Sequence, residues 1–163
     1  MNNFVTQNIR NIGIIGHGGE GKTTLTEAML FNAKAIDRFG RVEDGTTTTD
    51  YDPEEIKRNI SISAAIAPLE WNKHKINIID VPGFFDFVGE MVQSLRVVDG
   101  AVIVVGAVSG LSVGTEKAWD YCKEYHVPKM IFVNQMDREN VNYEKVLEEL
   151  EGKYGTAITP LQV

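Results

Sequence analysis

The sequence is poor in features that mark secreted, membrane-spanning and nucleic-acid-coating proteins. Its 163 residues include one cysteine, Cys122, so no internal disulfide can form and a cytoplasmic location is the simplest expectation. The longest apolar run, 101–108, is far too short to cross a bilayer, and residues 1–10 lack a secretory signal. The net charge of −7 argues against a membrane or DNA partner that is bound through broad phosphate contacts, although a local RNA contact stays open.

The remaining composition is that of an ordinary globular domain, with 43% hydrophobic and 24% charged residues. Strand-like and helical patterns alternate along the chain, with a polar loop predicted over 38–59. The predicted strands are 8–15, 61–71, 75–80, 101–108, 129–134 and the start of one at 159–163. The predicted helices are 24–35, 88–97, 113–125 and 143–154. This alternation predicts an α/β fold with a mainly parallel sheet and helices on both faces.

The segment 16–24 reads G-H-G-G-E-G-K-T-T and lies between a strand pattern and a helix pattern. That context favours a phosphate-binding loop over a glycine-rich turn with a chance lysine. Glycines let backbone N–H groups face phosphate oxygens, and the helix N-terminus favours the same anion. Lys22 would offset phosphate charge, and the Thr23 hydroxyl would hold Mg²⁺. The predicted phosphate-binding residues are His17, Gly18, Gly19, Glu20, Gly21, Lys22, Thr23 and Thr24.

A second motif, D-V-P-G at 80–83, follows the predicted strand 75–80. The Asp80 carboxylate would hold Mg²⁺ through water, because Mg²⁺ keeps part of its hydration shell. Gly83 would offer its N–H to a terminal phosphate, since no side chain blocks close approach. Alone, this motif is a common turn. Beside the glycine loop it predicts Gly83 and Lys22 as catalytic residues.

A third motif, N-Q-M-D at 134–137, follows the last buried strand pattern. An Asp137 carboxylate accepts hydrogen bonds from N1–H and the 2-amino group of guanine, whereas adenine offers neither donor, so the motif selects GTP over ATP. Asn134 would brace the loops around the base, and Gln135 would lie beside the base. A strand-ending turn is the alternative for this motif taken alone.

Ser61 lies at the end of the predicted loop 38–59. Its hydroxyl is predicted to reach Mg²⁺ only when a γ-phosphate is present. Such a contact would order the loop with GTP and release it after hydrolysis. The predicted metal ligands are therefore Thr23, Ser61 and Asp80.

Together these motifs resemble the GTPase domain of the elongation factor G family, in particular its elongation-factor-G-like branch. The resemblance covers nearly the whole chain and implies GTP and GDP binding, Mg²⁺ and a GTP-driven encounter with the ribosome. Its marks are 11–17 (N-I-G-I-I-G-H), 21–27 (G-K-T-T-L-T-E), 50–65 with R-N-I-S-I at 58–62, 80–87 (D-V-P-G-F-F-D-F), 87–90 (F-V-G-E) and 99–102 (D-G-A-V).

The chain departs from the family pattern at four positions. Phe84 stands where the family has a water-orienting His, and Gly19 stands where it has an Asp near a monovalent cation. Ser61 replaces Thr, and Gln135 replaces the Lys whose stem lies over the base. The first two remove chemistry from hydrolysis and leave binding intact. The family's later S-A-x motif, which contacts guanine, has no equivalent before 163, so 1–163 is predicted to be an N-terminal fragment.

The main hypothesis is a GTP-binding domain over 1–163 that hydrolyses GTP to GDP and phosphate in a translation factor. The alternative is a GTP-binding switch with little turnover, because Phe84 cannot orient water. A third interpretation, an ATPase with the same loop, is disfavoured by Asp137.

Overall fold

A five-stranded sheet forms the centre of the molecule in the computed structural model, which describes residues 4–139 and 141–162. The strands are β1 (Ile9–Gly16), β2 (Ala65–Trp71), β3 (His74–Asp80), β4 (Gly100–Gly106) and β5 (Lys129–Asn134). Strands β2 and β3 form an antiparallel hairpin, and every other neighbouring pair is parallel. The order across the sheet is β2-β3-β1-β4-β5, so the predicted mainly parallel sheet is confirmed.

Helices cover both faces of the sheet, as predicted. Consecutive residues of a strand point to opposite faces, and Ile14 and Ile15 of β1 accordingly enter two separate hydrophobic clusters. Leu30 joins the cluster of Ile14, whereas Ala118 and Val146 join the cluster of Ile15. The helices are α1 (Lys22–Asn32), α2 (Pro53–Arg58), α3 (Val88–Leu95), α4 (Val113–Glu124) and α5 (Tyr143–Tyr154).

The predicted loop 38–59 is wrong in one part, because it contains helix α2. Asp52 caps this helix in a reciprocal capping box with Glu55, and Pro53 occupies the first turn. Asn59 ends it in the left-handed conformation, with φ of 53°. A six-residue helix is too short to show hydrophobic periodicity, so only its capping signal was available in the sequence.

The strand predicted over 61–71 begins at Ala65, four residues after its predicted start. The N–H groups of Ile62 and Ser63 donate to the Glu55 carboxylate, at 2.8 and 3.1 Å, and that of Ala64 donates to Glu90 at 2.8 Å. These N–H groups are therefore not available to a strand partner. The strand proposed at 159–163 is also wrong over 159–162, which form no strand, and residue 163 lies outside the described residues.

The predicted hairpin turn at Asn72 and Lys73 is confirmed. Both residues have positive φ, 45° and 65°, which matches the twist of a two-residue hairpin loop. None of the helices in the described part of the chain has the length and apolarity to cross a membrane.

Candidate functional site

The three sequence motifs meet at one edge of the sheet. The carboxyl ends of parallel strands lie at the same edge, which is where ligands of open α/β sheets bind. Strand β1 ends at Gly16, β3 ends at Asp80 and β5 ends at Asn134. Ile14 pairs with Asp80, so the first two motifs start on neighbouring strands.

The glycine loop is closed by its own lysine. Lys22 Nζ donates to the carbonyl oxygen of His17 at 2.7 Å, and Gly21, with φ of 87°, occupies the cap position of α1. Burial lowers the pKa of Lys22 to about 8, although the nearby carboxylates of Asp80, Glu20 and Asp50 act in the opposite direction. The nearby carboxylates do not offset the cost of burying this cation, so the site is suited to an additional anionic ligand.

Gly83 and Phe84 pack directly on the glycine loop. A Cβ at Gly83 would lie 2.6 Å from the backbone nitrogen of Gly18 and would also meet Lys22 Nζ, so only glycine fits there. A Cβ at Gly18 would lie 2.9 Å from Cζ of Phe84. The far end of the Phe84 ring thus lies against the loop, while the residue stays 41% exposed.

A cluster of hydroxyl and carboxylate groups lies beside Lys22. Thr23 Oγ1 is 3.2 Å from Ser61 Oγ, which donates to Asp50 Oδ1 at 2.7 Å. Thr49 Oγ1 donates to Asp80 Oδ2 at 2.7 Å, and the Thr23 hydroxyl acts to lower the pKa of Asp80. The structure therefore brings the three predicted metal ligands together. It adds Thr49 and Asp50, which the sequence analysis missed.

The electrostatics of this cluster suit a hard cation. Burial raises the pKa of Asp80 to about 6, with the Thr49 hydroxyl opposing this rise, and burial also raises the pKa of Asp50. Asp80 Oδ1 is buried without a hydrogen-bond partner in the described structure. An unpartnered carboxylate oxygen beside two hydroxyl groups fits Mg²⁺, which prefers oxygen ligands and keeps several waters.

The third motif is bonded to the glycine loop. Asn134 Nδ2 donates to the carbonyl oxygen of Glu20 at 2.9 Å, and Gln135 Nε2 donates to that of Gly19 at 3.0 Å. Asp137 is exposed on the turn that follows. The structure therefore links the predicted base-binding loop to the predicted phosphate-binding loop.

The other predicted residues take different positions around the loop. The Glu20 carboxylate accepts a hydrogen bond from Ser109 Oγ at 2.9 Å, a partner that no sequence signal indicated, whereas its backbone carbonyl makes the contact with Asn134. Thr24 is exposed on the first turn of α1. The His17 ring lies 5.9 Å from that of Phe85, and its Nδ1 is buried with no hydrogen-bond partner within the described residues.

Fold and site define a P-loop nucleotide-binding domain of the GTPase type, with a glycine loop, a Lys-Thr pair and a D-x-P-G motif at one sheet edge. Residues 7–160 match the family model described as the elongation factor Tu GTP binding domain. The chain belongs to this family.

Similar proteins include translation factors that are several times longer than this chain. Mitochondrial ribosome-releasing factor 2 of Candida dubliniensis is 45% identical over 158 residues, which make up 97% of this chain and 20% of that protein. Elongation factor G 2 of Borreliella afzelii is 43% identical over 155 residues, 95% of this chain and 23% of that protein. A crystal structure of ttk003000868 from Thermus thermophilus superposes with a TM-score of 0.87 at 42% identity, covering 90% of this chain and 22% of that one.

This chain thus spans about a fifth of the length of these relatives. The resemblance to the elongation factor G family that the motifs indicated is confirmed by the family match and by the relatives' names.

Proposed function

We propose that this domain binds GTP and GDP with Mg²⁺ and hydrolyses GTP to GDP and phosphate, as the 1–163 portion of a longer factor that acts at the ribosome. The observation that carries the proposal is that the loops at 80–83 and 134–137 both contact the glycine loop, which buried Lys22 closes. The names of the relatives support a ribosomal role for the whole factor. We place the factor in the cytoplasm because of its lone cysteine, although several relatives are named as mitochondrial proteins.

Each group at the site has a distinct part in this proposal. Backbone N–H groups of the glycine loop and of the α1 N-terminus bind phosphate oxygens, and Lys22 offsets the β/γ-phosphate charge. Thr23, Ser61 and Asp80 hold Mg²⁺, which when bound offsets further charge on the phosphates. Gly83 donates its N–H to the terminal phosphate. Such sites accelerate phosphoryl transfer by positioning and electrostatics.

The exposed Asp137 carboxylate supplies the guanine selectivity in this proposal. Calorimetric titration with GTP, GDP and ATP, each with and without Mg²⁺, tests both the site and the base preference. We expect Mg²⁺-dependent binding of the guanine nucleotides and severe weakening in Lys22→Ala, because a buried phosphate charge loses its counter-charge. Lys145→Ala, on the exposed surface of α5, is the matched control. Full affinity in Lys22→Ala would exclude this site.

The alternative, a switch with little turnover, is favoured by the position of Phe84. Its ring lies on the glycine loop and has no group that donates to or accepts from water. Water-orienting groups typically supply about 10²–10⁴-fold in rate. Isolated turnover is therefore expected to be no faster than the roughly 10⁻⁴ s⁻¹ of small GTPases without an activator.

Single-turnover GTP hydrolysis by the full-length protein, with and without ribosomes, separates the two hypotheses. Phe84→His tests the water-orienting role, and Phe85→His, at a neighbouring side chain that is also exposed, is the control. Ribosome-stimulated turnover of the wild type supports the enzyme and assigns water positioning to another group. Rapid turnover without ribosomes contradicts the expected slow rate.

A further inference from the structure

Glu27 is a buried carboxylate that the proposed phosphate chemistry does not use. It lies on α1 four residues after Thr23, so both side chains are on the same face of the helix. Its exposed fraction is 0%. A charged side chain is seldom fully buried unless it is paired or hydrogen-bonded.

The two oxygens of Glu27 bind the two ends of one loop. Gly40 N donates to Oε2 at 2.9 Å, and Thr48 N donates to Oε1 at 2.5 Å. Within this loop Thr46 N donates to the carbonyl oxygen of Arg41 at 3.1 Å. One carboxylate therefore closes the segment 40–48, which we call the clamped loop. An ionised carboxylate accepts both bonds at once, since it has only acceptor sites.

The packing around this contact leaves little room for an alternative arrangement. A Cβ at Gly40 would lie 2.5 Å from the carbonyl oxygen of Thr46 and 2.6 Å from Oε2 of Glu27. Those distances are shorter than any carbon–oxygen van der Waals contact. Gly40→Ala would therefore displace the clamped loop without altering α1.

The clamped loop leads directly into the hydroxyl and carboxylate cluster. Thr48 precedes Thr49, whose hydroxyl donates to Asp80, and Asp50, which accepts from Ser61. Thr49 and Asp50 are both buried, at 3% and 5% exposure. Their positions depend on where the chain emerges from the contact at Thr48.

We propose that Glu27 is a positioning residue that ties the clamped loop to α1 and thereby places Thr49 and Asp50 beside the Mg²⁺ ligands. The identity of the ligand, a Mg²⁺-bound guanine nucleotide, rests on the function proposed above. Glu27 touches neither phosphate nor metal in this arrangement. It acts by fixing one flank of the site to the helix that begins at the glycine loop.

The first test measures the clamp without nucleotide. Hydrogen exchange of the full chain is compared for wild type, Glu27→Gln and Gly40→Ala. Glu27→Gln keeps the side-chain size and turns one acceptor into a donor facing a backbone N–H. We expect faster exchange in peptides covering 40–50 in both variants and unchanged exchange in β4. Glu43→Gln, which changes an exposed carboxylate of the same loop, is the matched control and should match the wild type.

The second test measures the effect on Mg²⁺. GDP dissociation is followed over a Mg²⁺ titration and in excess chelator. In Glu27→Gln we expect the Mg²⁺ concentration that gives half-maximal slowing to rise about tenfold, within the usual range for coupled sites, with unchanged dissociation in chelator. An equal change with and without Mg²⁺, or an unchanged Mg²⁺ dependence, would overturn the positioning role.

The two tests separate the possible failures. A wild type that binds no guanine nucleotide would refute the proposed function, and the exchange experiment would still decide whether Glu27 holds the loop. Unchanged exchange over 40–50 in Glu27→Gln would overturn the clamp by itself. Faster exchange throughout the sheet would show a general structural role and would also overturn the proposal.

Discussion

Replacement of Lys22 by Met should stabilise the nucleotide-free protein while it abolishes nucleotide binding. Met has nearly the length of Lys and no charge, so the variant removes the buried ammonium and retains most of the packing. The lysine is only 7% exposed, and burial lowers its pKa from 10.5 to about 8. The charge that would bind phosphate therefore destabilises the folded protein when no nucleotide is bound.

The size of this destabilisation follows from the shift in the pKa of Lys22. A fall from 10.5 to about 8, at roughly 1.36 kcal/mol for each pKa unit, corresponds to about 3 kcal/mol below pH 8. The variant also loses the hydrogen bond from the charged Nζ to the His17 carbonyl oxygen, 2.7 Å long, which costs about 2 kcal/mol. We therefore expect Lys22→Met to be about 1 kcal/mol more stable than the wild type at about pH 7.

The pH dependence of the stability difference between Lys22→Met and the wild type provides an independent check on the sign of that difference. Between about pH 8 and 10.5 the unfolded chain holds the Lys22 proton and the folded chain has lost it, so wild-type stability rises with pH relative to the variant. The advantage of Lys22→Met should therefore shrink over this interval and change sign before pH 10.5, because the lost hydrogen bond remains when the charge term has gone. Below about pH 8 both states are protonated, and the difference should be constant.

Urea unfolding in chelator, without nucleotide, at a series of pH values measures this difference through the free energy of unfolding in water. Lys145→Met, at an exposed position, should stay within about 0.5 kcal/mol of the wild type. The reasoning is refuted if Lys22→Met is less stable than the wild type at neutral pH, or if the difference does not depend on pH in the alkaline range.

Two further substitutions and one labelling experiment test other parts of the molecule. Asp137→Asn should lose affinity for GTP and gain affinity for a xanthosine nucleotide, because an amide donor suits a base with a carbonyl at position 2. Competition titration in a chain extended beyond 163 measures this preference. If ATP competes as well as GTP for the wild type, the assignment of Asp137 is contradicted. Glu55→Gln should lower the free energy of unfolding by about 1 kcal/mol, since the partly buried N–H groups of Ile62 and Ser63 lose their acceptor, whereas exposed Glu54→Gln should change little in the same urea experiment. Cys122 is buried, and its pKa is raised to about 11 by burial, so a thiol reagent should label it only after unfolding; rapid labelling of the folded protein would argue against this burial.

Much of the fold and part of the site were determined by local sequence pattern. The apolar run 101–108 is a strand because its β-branched residues suit a sheet buried on both faces, and β4 lies there. The run 129–134 is also a strand, β5, but it lies at the sheet edge with Met130 and Phe132 exposed, so its predicted burial was wrong. Strand-ending motifs meet at one edge because parallel strands place their carboxyl ends together. Such signals depend on neighbours a few positions apart, so they can be read from a single chain.

The tertiary structure alone decided which polar residues are buried and what they hold. Thr49 donates to Asp80 across 31 positions of sequence, and nothing in a run of four threonines distinguishes it from its neighbours. Glu27 looks like an ordinary charged helix residue, yet it accepts the backbone N–H groups of Gly40 and Thr48, which lie 13 and 21 positions away. Those partners reach the buried carboxylate only once the chain is folded.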